Sequence, residues 1–314
     1  MRSLARKHAV AFFAGALLLG ASTPTSAPGP IVIPLHADAG KEGEPRLGID
    51  VTLGSSTQRV MFDTGSTGLR IENKALPAEA YRRTGRSAKA DYGFGFEVRG
   101  EEASAAVTMG AAHATNMPFQ VIDEFGCSPA VRDCPVDEVE PSLFSGIYSG
   151  IFGAYFTPTR GGCCASPLAL LDGGIGRRYI VHAAFDAPTL TLNPDERMVN
   201  TFSVVDFAAF GAPRGCIRIY QTGQETCGPV IFDTGTPQLL VTTTGMIPQR
   251  PWTHAMLRIG AWTYDFPIGS GPGGVPLSVR RTDVIRIVVG LTAMQDFDVY
   301  YDLDRLRVGV ITHK

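Results

Sequence analysis

Charge is scarce in this chain, and neither sign dominates. Only 18% of the 314 residues are charged, 28 Lys and Arg against 30 Asp and Glu. Nothing in that balance provides the basic surface a nucleic-acid partner needs. Histidine is sparse too. The six residues (His8, His36, His113, His182, His254, His313) are scattered and form no ligand cluster in sequence, so neither a metal nor a cofactor is expected. There is no Gly-x-Ser-x-Gly, and no histidine stands near a candidate nucleophile in a recognisable motif, which argues against a serine hydrolase. Helical patterning is nearly missing. Ser166–Arg177, with Leu168, Leu170 and Leu171, is the best helix candidate, and Gly173-Gly174 cuts it short.

What the chain has in quantity is glycine (36) and proline (22). Many turns between short apolar stretches suit an all-β protein, and the length is ample for two lobes. Residues 1–27 read as a secretory leader: Arg2, Arg6 and Lys7 precede an apolar core from Ala9 to about Ala21. That core is too short to span a membrane comfortably, and no cysteine follows it to carry a lipid. The six cysteines all lie beyond the leader, an even number that fits disulfides in an oxidising compartment. Cys216 and Cys227 flank a turn at Gln221–Gln224 and are expected to pair. Cys127 and Cys134 would close a short loop, while the adjacent Cys163 and Cys164 either stand apart from it or bridge to it.

One pattern occurs twice. Val60-Met61-Phe62-Asp63-Thr64-Gly65-Ser66 returns as Val230-Ile231-Phe232-Asp233-Thr234-Gly235-Thr236, 170 residues on. In each copy an apolar strand ends in Asp-Thr-Gly and then a hydroxyl residue. The glycine permits close approach, and its N–H and the following hydroxyl are donors for the carboxylate. Brought face to face, Asp63 and Asp233 could not both ionise easily and would hold one shared proton. One carboxyl is then a base for water and the other an acid for a carbonyl oxygen. A second repeated element supports the duplication: Ser149-Gly150-Ile151-Phe152-Gly153-Ala154 is matched by Ile287-Val288-Val289-Gly290-Leu291.

On these four segments the sequence resembles the pepsin-like aspartic peptidases, over roughly Arg46 to the C-terminus. The resemblance implies an all-β, bilobal fold with a central cleft. It implies catalytic roles for Asp63 and Asp233. Thr64 and Thr234 would brace the loops, and Gly65, Ser66, Gly235 and Thr236 would support the carboxylates. Asp91–Val98 reads as the start of a second hairpin, turning at Arg99–Glu102 and resuming at Ala105–Met109. In the family a hairpin here forms a flap over the cleft, which gives Tyr92 and Gly93 a substrate-binding role. Two departures stand out. Arg70 occupies the place of a tryptophan that supports the flap tyrosine, and Pro237 replaces a hydroxyl residue after Thr236.

The expected organisation is a leader (1–27), an N-terminal lobe (31–195) with the first aspartate and the flap, and a C-terminal lobe (196–314) with the second. Asn193–Glu196 marks the boundary. Leu76–Ala90 reads as a polar surface excursion, and Gln249–Gly274, with Trp252 and Trp262, as a candidate cover for the cleft. Only Pro28–Pro45 separates the leader from the first hairpin, so no prosegment is expected. The function implied is that of a secreted or periplasmic aspartic endopeptidase, monomeric, acting on extended peptides, with no nucleic acid and no stable membrane anchor. The alternative is a non-catalytic scaffold of the same fold that binds a peptide or protein in its cleft.

Overall fold

Alternation of apolar and polar residues builds these sheets, and the glycines decide where strands end or cross closely. The computed structural model describes residues 29–313 except 42, 93–94, 129–143, 145, 156–162, 209–210 and 248–249. The leader, Gly93 and Cys134 lie outside the described residues. The first half supplies β1 (Ile31–Pro34), β2 (His36–Ala39), β3 (Pro45–Leu53), β4 (Ser56–Asp63), β5 (Thr67–Glu72), β6 (Arg82–Asp91), β7 (Phe96–Met109), β8 (Ala112–Cys127), β9 (Gly150–Ala154), β10 (Arg178–His182) and β11 (Thr189–Leu192). A four-residue helix, α1 (Glu196–Val199), is capped by Asp195, whose side chain accepts from Met198 N. It leads to β12 (Ser203–Asp206), β13 (Arg214–Ile219), β14 (Glu225–Asp233), β15 (Leu239–Thr243), β16 (His254–Ile259), β17 (Trp262–Pro267), β18 (Leu277–Arg281), β19 (Arg286–Gly290), α2 (Leu291–Met294), β20 (Phe297–Asp302) and β21 (Arg307–Thr312).

The architecture is all-β and bilobal. One lobe is an eight-stranded sheet in the order β2-β3-β4-β9-β5-β8-β7-β6, and the other a seven-stranded sheet, β17-β16-β13-β14-β19-β15-β18. A third sheet, β1-β11-β10-β20-β21-β12, takes strands from both halves of the chain and joins them. The duplication seen in the sequence is also a duplication of topology. β4 runs parallel to β9, β9 antiparallel to β5, and β5 parallel to β8. β14, β19, β15 and β18 repeat that parallel, antiparallel, parallel sequence.

The two apolar-apolar-Gly segments are the inner strands of this repeat, β9 and β19. Gly153 lies opposite Asp63, and Gly290 opposite Asp233. A Cβ on Gly153 would stand 2.6 Å from the Thr67 carbonyl carbon, and one on Gly290 only 2.1 Å from the Gln238 carbonyl oxygen. Both glycines are therefore dictated by a backbone threading beneath the Asp-Thr-Gly loop of its own half.

Several expectations are corrected. Residues 82–91 form the edge strand β6, with cross-strand ion pairs from Arg83 to Asp123 and Glu101, from Arg86 to Glu102, and from Lys89 to Glu97. Its polar sequence reflects an exposed sheet edge, with Ala88 and Ala90 facing inward. Residues 99–102 lie inside β7 and are not a turn; β6 and β7 pair directly, Tyr92 N donating to Phe96 O and Gly95 N to Tyr92 O, with Gly95 at φ +87°. Gly100 sits inside β7 at a register shift, where a Cβ would fall 1.9 Å from the Val121 carbonyl oxygen. The helix candidate at Ser166–Arg177 becomes two short 3-10 turns, because Gly173 and Gly174 take positive φ. Trp252 and Trp262 are core residues. Trp262 stacks on Tyr264 and meets Phe297 edge-on.

Cys216 and Cys227 face each other across β13 and β14 and are joined. Cys127 is disulfide-bonded, and Cys163 and Cys164 are joined to each other, not to the loop after β8. Among the described residues no helix is long and apolar enough to cross a membrane.

The threading glycines set a test of the fold. Gly290→Ala places a methyl group against the backbone of residues 236 and 238 and should cost about 3 kcal/mol, the upper end of ordinary overpacking. Thermal denaturation should show a melting temperature several degrees lower. An unchanged melting temperature would contradict the close threading.

Candidate active site

Strands β4 and β14 deliver their last residues, Asp63 and Asp233, to one place between the lobes. Beyond each aspartate the chain turns through Thr-Gly, and the two turns interlock. Thr64 N donates to Thr234 Oγ1 (3.0 Å), and Thr234 N donates to Thr64 Oγ1 (3.1 Å). Each hydroxyl then donates across the interface, Thr64 Oγ1 to Phe232 O and Thr234 Oγ1 to Phe62 O, both at 2.7 Å. Both threonines are fully buried, so every polar atom in this exchange needs its partner.

The interlock brings the carboxyls together. A Cβ on Gly65 would stand 2.3 Å from Asp233 Cγ, and one on Gly235 2.7 Å from Asp63 Cγ. Each loop's glycine is thus the surface on which the other loop's aspartate rests. Support within each loop is symmetric. Gly65 N donates to Asp63 Oδ1 (2.6 Å) and Ser66 Oγ to Asp63 Oδ2 (2.6 Å). Gly235 N donates to Asp233 Oδ1 (2.9 Å) and Thr236 Oγ1 to Asp233 Oδ2 (2.7 Å). Removal from water, followed by the Asp63 charge and a hydrogen bond with Asp63, pushes the Asp233 carboxyl up to about 8. The donations from Thr236 and Gly235 pull the other way and are outweighed. Adjacent carboxyls that share a proton behave this way.

Tyr92 lies at the tip of the β6–β7 hairpin, held by Tyr92 N donating to Phe96 O and Gly95 N to Tyr92 O. Its ring packs with Met61, Val98 and Ile151 in a small apolar cluster. Its hydroxyl is enclosed, with no hydrogen-bond partner among the described residues. Burial raises its pKa, against the pull of the Arg70 guanidinium beside it.

Arg70, only 1% exposed, is one of the largest fully buried side chains among the described residues. Its guanidinium donates to Gln120 Oε1 (3.0 Å), Cys163 O (3.0 Å) and Thr67 O. Gln120, itself buried, donates to Ala88 O in β6. Arg70 therefore ties the first loop, β6 and the Cys163–Cys164 segment together. Pro237 leaves the support of Asp233 intact, and its carbonyl accepts from Thr292 N.

Sequence reading missed several supporting residues. Tyr179 Oη and Ser166 Oγ both donate to Ala154 O beneath the first loop. Tyr179 stacks on Tyr301 at 4.7 Å, and Tyr301 Oη donates to Phe232 O (3.5 Å). Arg46, half-buried and ion-paired with Glu44, is near enough to feel both Asp63 and Asp233. The β3–β4 register, continued past Gly48↔Met61, sets Arg46 opposite Asp63. Strand pairing alone would have signalled it.

Two outcomes follow from this geometry. Thr64→Val leaves Thr234 N buried without an acceptor and removes the bond to Phe232 O, so stability should fall by about 1–3 kcal/mol in denaturant titration. For Asp233 the folded state holds the proton more tightly than the unfolded chain, so its contribution is largest below about pH 4 and is lost as pH rises toward 8. Asp233→Asn should therefore gain on the wild type across that interval, by up to about 1.4 kcal/mol per pH unit. A stability difference that does not vary between pH 4 and pH 8 would show that Asp233 ionises normally.

Comparison with known proteins agrees on the fold. A family profile described as a protein of unknown function (DUF3443) matches residues 52–167, which include the first Asp-Thr-Gly loop and β9. No curated protein matches the chain. Among solved structures, the aspartic proteinase from Irpex lacteus is similar with a TM-score of 0.60 over 91% of this chain and 98% of that one, at 16% identity. At that identity the likeness establishes the fold: this chain folds like a pepsin-like aspartic proteinase.

Proposed function

We propose that the protein is an aspartic endopeptidase that hydrolyses peptide bonds with the Asp63/Asp233 pair. The observation that carries the reading is the pair itself. Two carboxyls meet from separate lobes, each is held by one backbone N–H and one hydroxyl, and burial with mutual repulsion retains a proton on Asp233. A buried structural carboxylate needs no second carboxyl against it, and the arrangement costs stability as pH rises. Catalysis explains its retention.

In this reading Asp63 accepts a proton from a water held between the carboxyls, while Asp233 donates its proton to the scissile carbonyl oxygen. The water oxygen bonds to the carbonyl carbon and gives a neutral gem-diol. Proton transfer to the amide nitrogen then lets the C–N bond break, and the pair returns to its singly protonated state. Tyr92 closes over an extended peptide held by strand-like main-chain bonds. Such a protein acts outside the cytoplasm, in keeping with the leader read at residues 1–27.

The test is cleavage of a denatured protein mixture from pH 3 to pH 9 by wild type, Asp63→Asn and Asp233→Asn. Wild-type cleavage should be strongest in acid, disappear as the pair loses its last proton, and be blocked by a statine-type inhibitor. Each variant should lose at least about 100-fold, since a group acting as acid or base supplies a factor of about 100 to 10,000. A flat profile to pH 9 would exclude the shared-proton mechanism. Folded wild-type protein with no cleavage at any pH would leave a binding scaffold of the same fold.

A further inference from the structure

The six histidines are scattered along the sequence, yet two of them meet in the fold. His182 ends β10, and β10 pairs with β20 in a register that, continued past Val181↔Val299, places His182 opposite Asp298. His313 follows β21, and His313 N donates to Asp296 O, which sets it diagonally across from Asp298. His182 Nδ1 and His313 Nε2 each lie 2.6 Å from the same oxygen, Asp298 Oδ1. The two imidazole rings are 4.9 Å apart between centroids. The three ligand-type atoms all lie within 4.8 Å of one another.

The hydrogen bonding around this cluster leaves its centre rich in electrons. His313 Nδ1 lies 3.1 Å from Gln295 O. A carbonyl oxygen only accepts, so Nδ1 carries a proton. In the neutral ring Nε2 is then a lone pair, aimed at a carboxylate oxygen already approached by a second histidine. Such a contact is repulsive unless a proton or a metal ion stands at its centre. A ligating histidine also usually donates its other ring N–H to a backbone carbonyl or carboxylate.

We propose that His182, Asp298 and His313 form a binding site for a divalent transition-metal ion, with zinc the best fit. Two imidazole nitrogens and one carboxylate oxygen suit zinc, which takes three protein ligands and a water in an open site. Ligand atoms about 2.0 Å from a tetrahedral ion lie about 3.3 Å apart, so the 2.6 Å contacts need to open by well under an ångström. The side chains are partly accessible, with His182 at 31%, Asp298 at 24% and His313 at 29%. His313 also lines a surface cavity of about 450 Å³ with Gln295, Asp296 and Thr312. The partial exposure of all three side chains leaves access for water as a fourth ligand.

The site is separate from the aspartate pair and does not depend on the proposed peptidase activity. Successive strand residues face opposite sides of a sheet. Tyr179 and Tyr301 face the Asp-Thr-Gly loops, so His182 and Asp298 share the other face with Ile180 and Tyr300. Its ligands come from β10 of the first half and from β20 and the end of β21 in the second. A bound ion would thus fasten the two halves of the chain across the joining sheet.

The experiment is calorimetric titration of Zn²⁺ into untagged full-length protein previously stripped with EDTA. Diffraction from zinc-soaked crystals at the zinc edge accompanies it. Wild type should bind one ion per chain with micromolar affinity and melt at a higher temperature with zinc than with EDTA. The anomalous peak should lie between His182, Asp298 and His313. His182→Gln and His313→Gln should each weaken binding by more than about tenfold, the loss caused even by removing an outer partner of a ligand. If a variant does not fold, the wild-type anomalous peak decides. No binding by wild type at millimolar zinc would mean that protons alone hold the cluster together and would overturn the proposal. A peak elsewhere, including at Asp63 and Asp233, or binding unchanged in both folded variants, would overturn it equally.

Discussion

The four hydrogen bonds exchanged by Thr64 and Thr234 are the constraint on which the rest depends. They join two loops 170 residues apart, and all their polar atoms are removed from water. Once formed, they fix the position of each loop relative to the other lobe. The glycines that follow must then lie against the opposite carboxyls. The inner strands β9 and β19 must in turn pass beneath the loops at Gly153 and Gly290, where no side chain fits. Hydroxyl, glycine and apolar strand are thus links of one packing problem, solved twice.

The same interlock creates an electrostatic conflict. Burial and proximity oppose the second ionisation, while each carboxyl keeps its own donors. The balance leaves one carboxyl protonated over much of the pH range, a state useful for acid–base chemistry and unfavourable for stability as pH rises. Arg70 extends the polar character outward. The buried guanidinium draws on Gln120 and on the carbonyls of Thr67 and Cys163, connecting elements that an apolar ring would only touch. Tyr92 rests beside that fixed positive charge.

The joining sheet has two distinct faces. Tyr179 and Tyr301 face the loops and support them through Ala154 and Phe232. His182, Asp298 and Tyr300 face away. The halves are therefore coupled on both sides of one sheet, by packed aromatics behind the aspartates and by a histidine–carboxylate cluster on the outside.

Much of this was legible in the sequence because it is local and repeated. An apolar run ending in Asp-Thr-Gly-hydroxyl specifies a strand, a turn and the donors for one carboxylate, all within four residues. Two copies with two matching Gly-terminated strands specify the all-β, two-lobed plan. Hairpin β3–β4 and the Cys216–Cys227 pair were legible for the same reason, since the partners are neighbours in the chain. Local pattern misled where glycine has two uses. Gly100 resembled a turn but marks a close strand crossing, and Gly173-Gly174 ended a helix before it began. Polar residues 82–91 resembled a surface excursion because an edge strand paired through ion pairs carries no apolar stripe. What only the tertiary structure decided involves partners distant in sequence: Arg70 with Gln120 and Cys163, and His182 with Asp298 and His313. No periodicity or spacing encodes such meetings, because they depend on how sheets from different halves of the chain pack and pair.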